Sequence, residues 1–88
     1  MTTYQLRNLI LETFKEVAEQ NQLTLVETIT DDSMLLEIGL DSIGFATVIT
    51  MLELKLDYDP FLLMEEPAYP NTFAEFLKVY DHFKDHAK

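Results

Sequence analysis

Across residues 4–20, apolar side chains stand at Leu6, Leu9, Ile10, Phe14, Val17 and Ala18, in steps of three and four that gather them on one face of an α-helix. Arg7, Glu12, Lys15, Glu16 and Glu19 occupy the other face, and Glu19-Gln20-Asn21-Gln22 offers a polar stop. Residues 23–30 contain Thr24, Val26, Thr28 and Ile29, which favour strands, but no second segment alternates to pair with them. A long loop held by buried apolar anchors is expected there. Asp31-Asp32-Ser33 supplies short side chains able to bond their own backbone, and Met34-Leu35-Leu36-Glu37 follows with enough apolar material for one helical turn.

Helical spacing resumes after Gly39-Leu40-Asp41-Ser42, at Phe45, Val48, Ile49, Leu52 and Leu56, with Asp41 or Ser42 as the N-cap. Pro60 has no backbone N–H and biases Asp59 towards extended geometry, so this helix should end before it. Phe61-Leu62-Leu63-Met64, closed by Glu65-Glu66-Pro67, fits either a short helix or a buried loop. Thr72 and Glu75 are spaced as a capping box, and Phe73, Phe76, Leu77, Tyr80 and Phe83 form the apolar stripe of a last helix. Lys84 and Lys88 suit the negative end of its dipole. The pattern predicts an all-α fold, a small three-to-four-helix bundle formed by residues 1–88 as a single domain.

Composition narrows the function. Sixteen acidic residues against six basic ones give a net charge of -10, which repels phosphate backbones and anionic membrane surfaces, so neither nucleic acid nor membrane is an expected partner. Hydrophobic residues make up 48% of the chain and aromatic residues 11%, too much apolar material for a disordered acidic chain. Cysteine is absent, which removes disulfides, thiolate metal sites and cysteine nucleophiles together. No stretch approaches the roughly 18 apolar residues of a membrane span, and no signal-peptide pattern opens the chain; a soluble, cytoplasmic monomer is expected.

Little else in the chain suggests chemistry. His82 and His86 are spaced i, i+4, but no third ligand or H-E-x-x-H pattern accompanies them, so no metal site is expected. Asp31-Asp32 and Asp57-Tyr58-Asp59 lack the ligand ladder of a calcium loop. Gly39-Leu40-Asp41-Ser42-Ile43-Gly44 superficially resembles a nucleophile elbow, yet two residues, not one, separate the first glycine from the serine. An elbow also needs a histidine base and an oxyanion hole on a large sheet, so hydrolysis by this chain is not expected. What remains is Ser42 at a helix start. Unpaired N–H groups and the positive end of the dipole would accommodate a phosphate ester on it; the plainer alternative is that Asp41 and Ser42 only cap the helix.

Residues 36–43, Leu-Glu-Ile-Gly-Leu-Asp-Ser-Ile, closely resemble the phosphopantetheine-attachment signature of acyl and peptidyl carrier proteins, whose core reads L-G-x-D-S-L or close to it. The order of elements also resembles that family along about 80 residues: a first helix, a long loop, the serine opening helix two, Leu52-Glu53 late in it, and a last helix opening at Thr72. The resemblance implies a non-catalytic carrier of the acyl-carrier-protein type. Ser42 would receive a 4′-phosphopantetheine arm from coenzyme A through a phosphopantetheinyl transferase, with Gly39, Leu40, Asp41 and Ile43 as its motif neighbours. A loading enzyme and the synthase or condensing enzymes of a pathway would be its further partners. Ser33 lies outside the motif and is expected to serve a local turn.

The sequence also departs from that family. Fatty-acid-synthesis carriers are rich in exposed acids just after the serine, whereas Gly44, Phe45, Ala46 and Thr47 stand here. Leu40, Ile43, Thr47 and residues 61–64 become candidates for docking or for lining the arm, and the neutral face favours a dedicated carrier in polyketide, nonribosomal peptide or siderophore assembly. A fatty-acid carrier and a noncovalent acidic adaptor are the alternatives.

Overall fold

Thr2 and Gln5 start the first helix by exchanging hydrogen bonds. The Thr2 hydroxyl accepts from the Gln5 N–H at 3.1 Å, and the Gln5 side-chain oxygen accepts from the Thr2 N–H at 2.8 Å, a capping box that satisfies two donors left over by the helix. The computed structural model describes residues 1–65 and 69–86, without the side chain of His86. Helix α1 spans Thr3–Gln20 and buries Leu6, Ile10, Phe14, Val17 and Ala18, with Leu9 half-buried. Thr13 is buried on the same face because its hydroxyl donates to the Leu9 carbonyl at 2.8 Å. Gln22 then adopts a left-handed φ of 57°, which lets the Leu23 N–H reach the Ala18 carbonyl at 2.8 Å and reverse the chain.

Residues 23–34 form the expected loop, with Leu23, Leu25 and Ile29 packed against the core. The loop leads into a 3₁₀ turn at Leu35–Glu37. Helix α2 spans Ser42–Leu56 and ends at Asp57, in left-handed geometry with φ 64°. Helix α3, Pro60–Leu63, settles the open choice at residues 61–64 in favour of one helical turn: Pro60 occupies its first turn and the Asp59 carboxylate accepts from the Phe61 N–H at 2.9 Å. Helix α4 spans Phe73–His82, and a second 3₁₀ turn follows at Lys84–His86. Lys88, and the Glu66-Pro67 pair expected to close the apolar segment, lie outside the described residues.

The capping box expected at α4 forms only in part. Thr72 accepts from the Glu75 N–H at 3.2 Å, but the Glu75 carboxylate takes the Asn71 N–H at 3.0 Å instead of that of Thr72. Thr72 also faces Met34 in an isolated antiparallel bridge. Around it the Leu35 N–H donates to the Asn71 carbonyl at 2.8 Å and the Phe73 N–H to the Ser33 carbonyl at 2.9 Å, so the loop before α2 is strapped to the start of α4.

Four helices and no strands among the described residues make a small all-α bundle. Phe14 lies at its centre, edge-on to Phe45 and Phe73, each with ring centroids 5.9 Å away, and tilted against Phe76 at 5.7 Å. Polar clips hold the rim. Lys55 donates to Thr13 at 3.0 Å and to Glu16 at 2.9 Å across α1 and α2. The Thr3 hydroxyl donates to Asp81 at 2.7 Å across α1 and α4, and this bond, ahead of the Lys84 ion pair, holds the Asp81 carboxyl below its ordinary range. No described helix is long and apolar enough to cross a membrane.

Tyr58 donates from its hydroxyl to the Tyr80 carbonyl at 2.7 Å. Burial, aided by the charge of Asp81, pushes the Tyr58 hydroxyl up from 10.0 to about 12, and burial raises Tyr80 as well. Above the ordinary tyrosine range the unfolded chain releases these protons while the folded one keeps them. Stability should therefore be fully present below pH 10.0 and fall as pH rises towards about 12. Urea unfolding across this range should show that decline, and Tyr58→Phe should make it shallower. Phe14→Ala should cost about 3–5 kcal/mol in the same measurement at neutral pH, since the cavity opens among three other rings.

Candidate functional site

Gly39 sets the geometry of the site. Its φ of +122° is open to glycine and strained for other residues, and a Cβ there would run into the Thr24 carbonyl of the preceding loop. The reversal at Gly39 turns Leu40 inward. Leu40 is only 5% exposed and belongs to the core, packed beneath the first turn of α2 beside Gly44. This corrects the expectation that Leu40 contributes to docking: its contacts are intramolecular, and a partner cannot reach it.

Asp41, not Ser42, is the N-cap. Its carboxylate accepts from the Gly44 N–H at 2.7 Å, and its carbonyl accepts from the Phe45 N–H at 2.9 Å. Gly44 is buried against this cap, where a Cβ would come within 3.1 Å of the Asp41 oxygen. Ser42 thus becomes the first residue inside the helix, exposed, and among the described residues its hydroxyl has no hydrogen-bond partner. The N–H groups of Ser42 and Ile43 likewise donate to no protein acceptor among the described residues, as the first turn of a helix requires.

Around Ser42 lies a shallow depression of about 390 Å³ lined by Ile43, Ala46, Thr47 and Thr50. Ile43 is 72% exposed, and Thr47 is half-buried with its hydroxyl donating to the Ile43 carbonyl at 2.9 Å. On the neighbouring side of α2, a more apolar cleft of about 470 Å³ lies between Leu36, Phe45, Ile49, Phe61 and Tyr69. Leu62 and Leu63 of α3 are exposed, while Phe61 and Met64 are half-buried. Of the docking candidates, Ile43 and Thr47 share the depression beside Ser42, and Phe61 lines the adjoining cleft. Leu36 and Leu54, both exposed, escaped the sequence reading. For Leu54 the available signal was its spacing from Ile43 on one face of α2.

The other candidate groups have local structural roles. Ser33 accepts from the Thr30 N–H at 2.9 Å, a turn contact as expected. Asp31 faces Arg7 at 3.7 Å, Asp57 ends α2 and Asp59 caps α3. His82 stands edge-on to Phe83 with ring centroids 4.7 Å apart, and no group of three metal-ligating side chains occurs among the described residues. No family model, curated protein or solved structure matches this chain.

Gly39→Ala should lower stability by about 2 kcal/mol or more, because strained φ and the clash with Thr24 act together. Urea titration checks this; a change within about 0.5 kcal/mol would show that the loop moves aside freely.

Proposed function

We propose that this protein is an acyl or aminoacyl carrier, activated by attachment of a 4′-phosphopantetheine arm to Ser42. The observation that carries this reading is the placement of the Ser42 hydroxyl, exposed and unbonded at the first position of a capped helix within a sequence that resembles the attachment signature. Leu36-Glu37-Ile38-Gly39-Leu40-Asp41-Ser42-Ile43 acts as one unit in it. Gly39 provides the reversal, Leu40 anchors the turn from inside, Asp41 fixes the helix start, and Ser42 is left outside.

The residues present fit such an arm. A phosphodiester on Ser42 would lie beside the free N–H groups of Ser42 and Ile43 and at the positive end of α2, where an anion is stabilised by about 0.3–1 kcal/mol. No acidic side chain follows Ser42 on α2 until Glu53, so the first turns of the helix do not repel it. When bound, the arm supplies the thiol that this cysteine-free chain lacks, and acyl groups travel on that thiol as thioesters. The polypeptide holds the attachment point and presents it, raising the effective concentration of cargo at each enzyme that docks. A phosphopantetheinyl transferase, a loading enzyme and condensing or synthase enzymes are the partners of this reading. The neutral start of α2 favours a dedicated carrier of a specialised biosynthetic pathway over one of general fatty-acid synthesis.

Intact-mass measurement after incubation with coenzyme A and a broad-specificity transferase tests the proposal. One phosphopantetheine should be added to the wild type and to Ser33→Ala, and none to Ser42→Ala. If the wild type gains no mass with several such transferases, the carrier reading fails and a noncovalent acidic adaptor replaces it.

A further inference from the structure

Lys78 and His82 stand four residues apart on α4, and so do Val79 and Phe83, which sets a basic row beside an apolar row along one side of the helix. All four line a cleft of about 650 Å³ between α4 and the end of α3, a volume usual for small-molecule sites. Leu63 and Met64 close it from α3, and Tyr69 from the connection between the two helices. The cleft shares no residue with the depression at Ser42, and only Tyr69 and Pro70 with the apolar cleft beside α2. Two rings and a thioether, from Tyr69, Phe83 and Met64, are surfaces that suit an aromatic guest.

Charge specifies the other half of that guest. Arg7 faces Asp31, Lys55 pairs with Glu16 and Lys84 with Asp81, whereas Lys78 makes no ion pair among the described residues. Two acids share the lining without answering it. The Glu75 carboxylate accepts from the Asn71 N–H at 3.0 Å at the start of α4, and Glu65 stands exposed just past α3. The far turns of α4 therefore offer an ammonium from Lys78 and an imidazole N–H from His82, both exposed, beside an apolar floor.

We infer that the α3–α4 cleft binds a free aromatic carboxylate, its rings against Met64, Tyr69, Val79 and Phe83 and its carboxylate at Lys78 and His82. An acid joined to a phosphopantetheine arm as a thioester has lost that carboxylate, so the guest is distinct from cargo carried on Ser42 and the site stands apart from the carrier reading.

Titration of the unmodified protein with naphthoate, followed by amide NMR shifts, is the test. Amides of residues 63–64 and 78–83 should shift together, with a Kd of about 1 mM or tighter. Lys78→Met, which keeps an apolar stem and removes the charge, should raise Kd about three- to fivefold, and His82→Gln about twofold. Lys15→Met makes the same change of charge at an exposed position on α1 and should match the wild type. The neutral analogue naphthalenemethanol should bind at least about threefold more weakly than naphthoate. Absence of shifts at these amides, equal affinity for the alcohol, or equal weakening in Lys15→Met would each overturn the inference. Shifts centred on Phe45 and Ile49 would place the probe in the cleft beside α2 and overturn it as well. If the same amides shift on dilution of the protein alone, the cleft belongs to a second copy of the chain.

Discussion

Gly39 approaches the Thr24 carbonyl so closely that no side chain fits between them. The local structure that places Ser42 follows from this contact. With φ at +122° the chain reverses, Leu40 drops into the core, and Asp41 arrives where its carboxylate can cap α2. Ser42 is then the first helical residue with its hydroxyl outside. The order of the four side chains is a mechanical sequence: a reversal, an anchor, a cap and an exposed group. Two more constraints hold the reversal in place. The Val26 N–H donates to the Ile38 carbonyl at 2.9 Å, and the Met34–Thr72 bridge ties the loop to α4.

Behind this corner, the core depends heavily on aromatic rings. Phe14 touches rings from α2 and α4, while Tyr58, Phe61, Phe76 and Tyr80 form a second contact group at the end where α2 gives way to α3. Large rigid rings bury much area for little lost side-chain entropy, which suits a domain that has few residues with which to build an interior. The Tyr58 hydroxyl finds the Tyr80 carbonyl, whereas the Tyr80 hydroxyl is buried with no partner, a polar atom whose desolvation the surrounding packing must offset.

Charge and contact are separated on the surface. The net charge of -10 suggests attraction to basic surfaces, but the acids avoid the first eleven residues of α2, Ser42 to Leu52. Acidic charge and the neutral start of α2 thus occupy different parts of the surface.

Much of this was legible in the sequence. Periodicities of three and four placed α1, α2 and α4 and Pro60 marked the break, since these signals depend only on near neighbours along the chain, and the lack of a partner segment anywhere in the sequence excluded a strand at residues 23–30. The motif around Ser42 was equally visible. Other features needed the fold. Whether Asp41 or Ser42 capped α2 depended on where the chain turned at Gly39, and residues 61–64 became a helical turn when Asp59 and Pro60 met. The bridge between Met34 and Thr72, 38 positions apart in sequence, and the Asn71 N–H taken by the Glu75 carboxylate were likewise set by the fold. Leu40 and Ile43 show the division most clearly: two apolar residues flank the same Asp-Ser pair, one buried and one open. Sequence by itself determined that both are apolar and that a helix begins between them. Only the tertiary structure decided which one is covered, because burial is set by the loop and helices that pack from elsewhere in the chain.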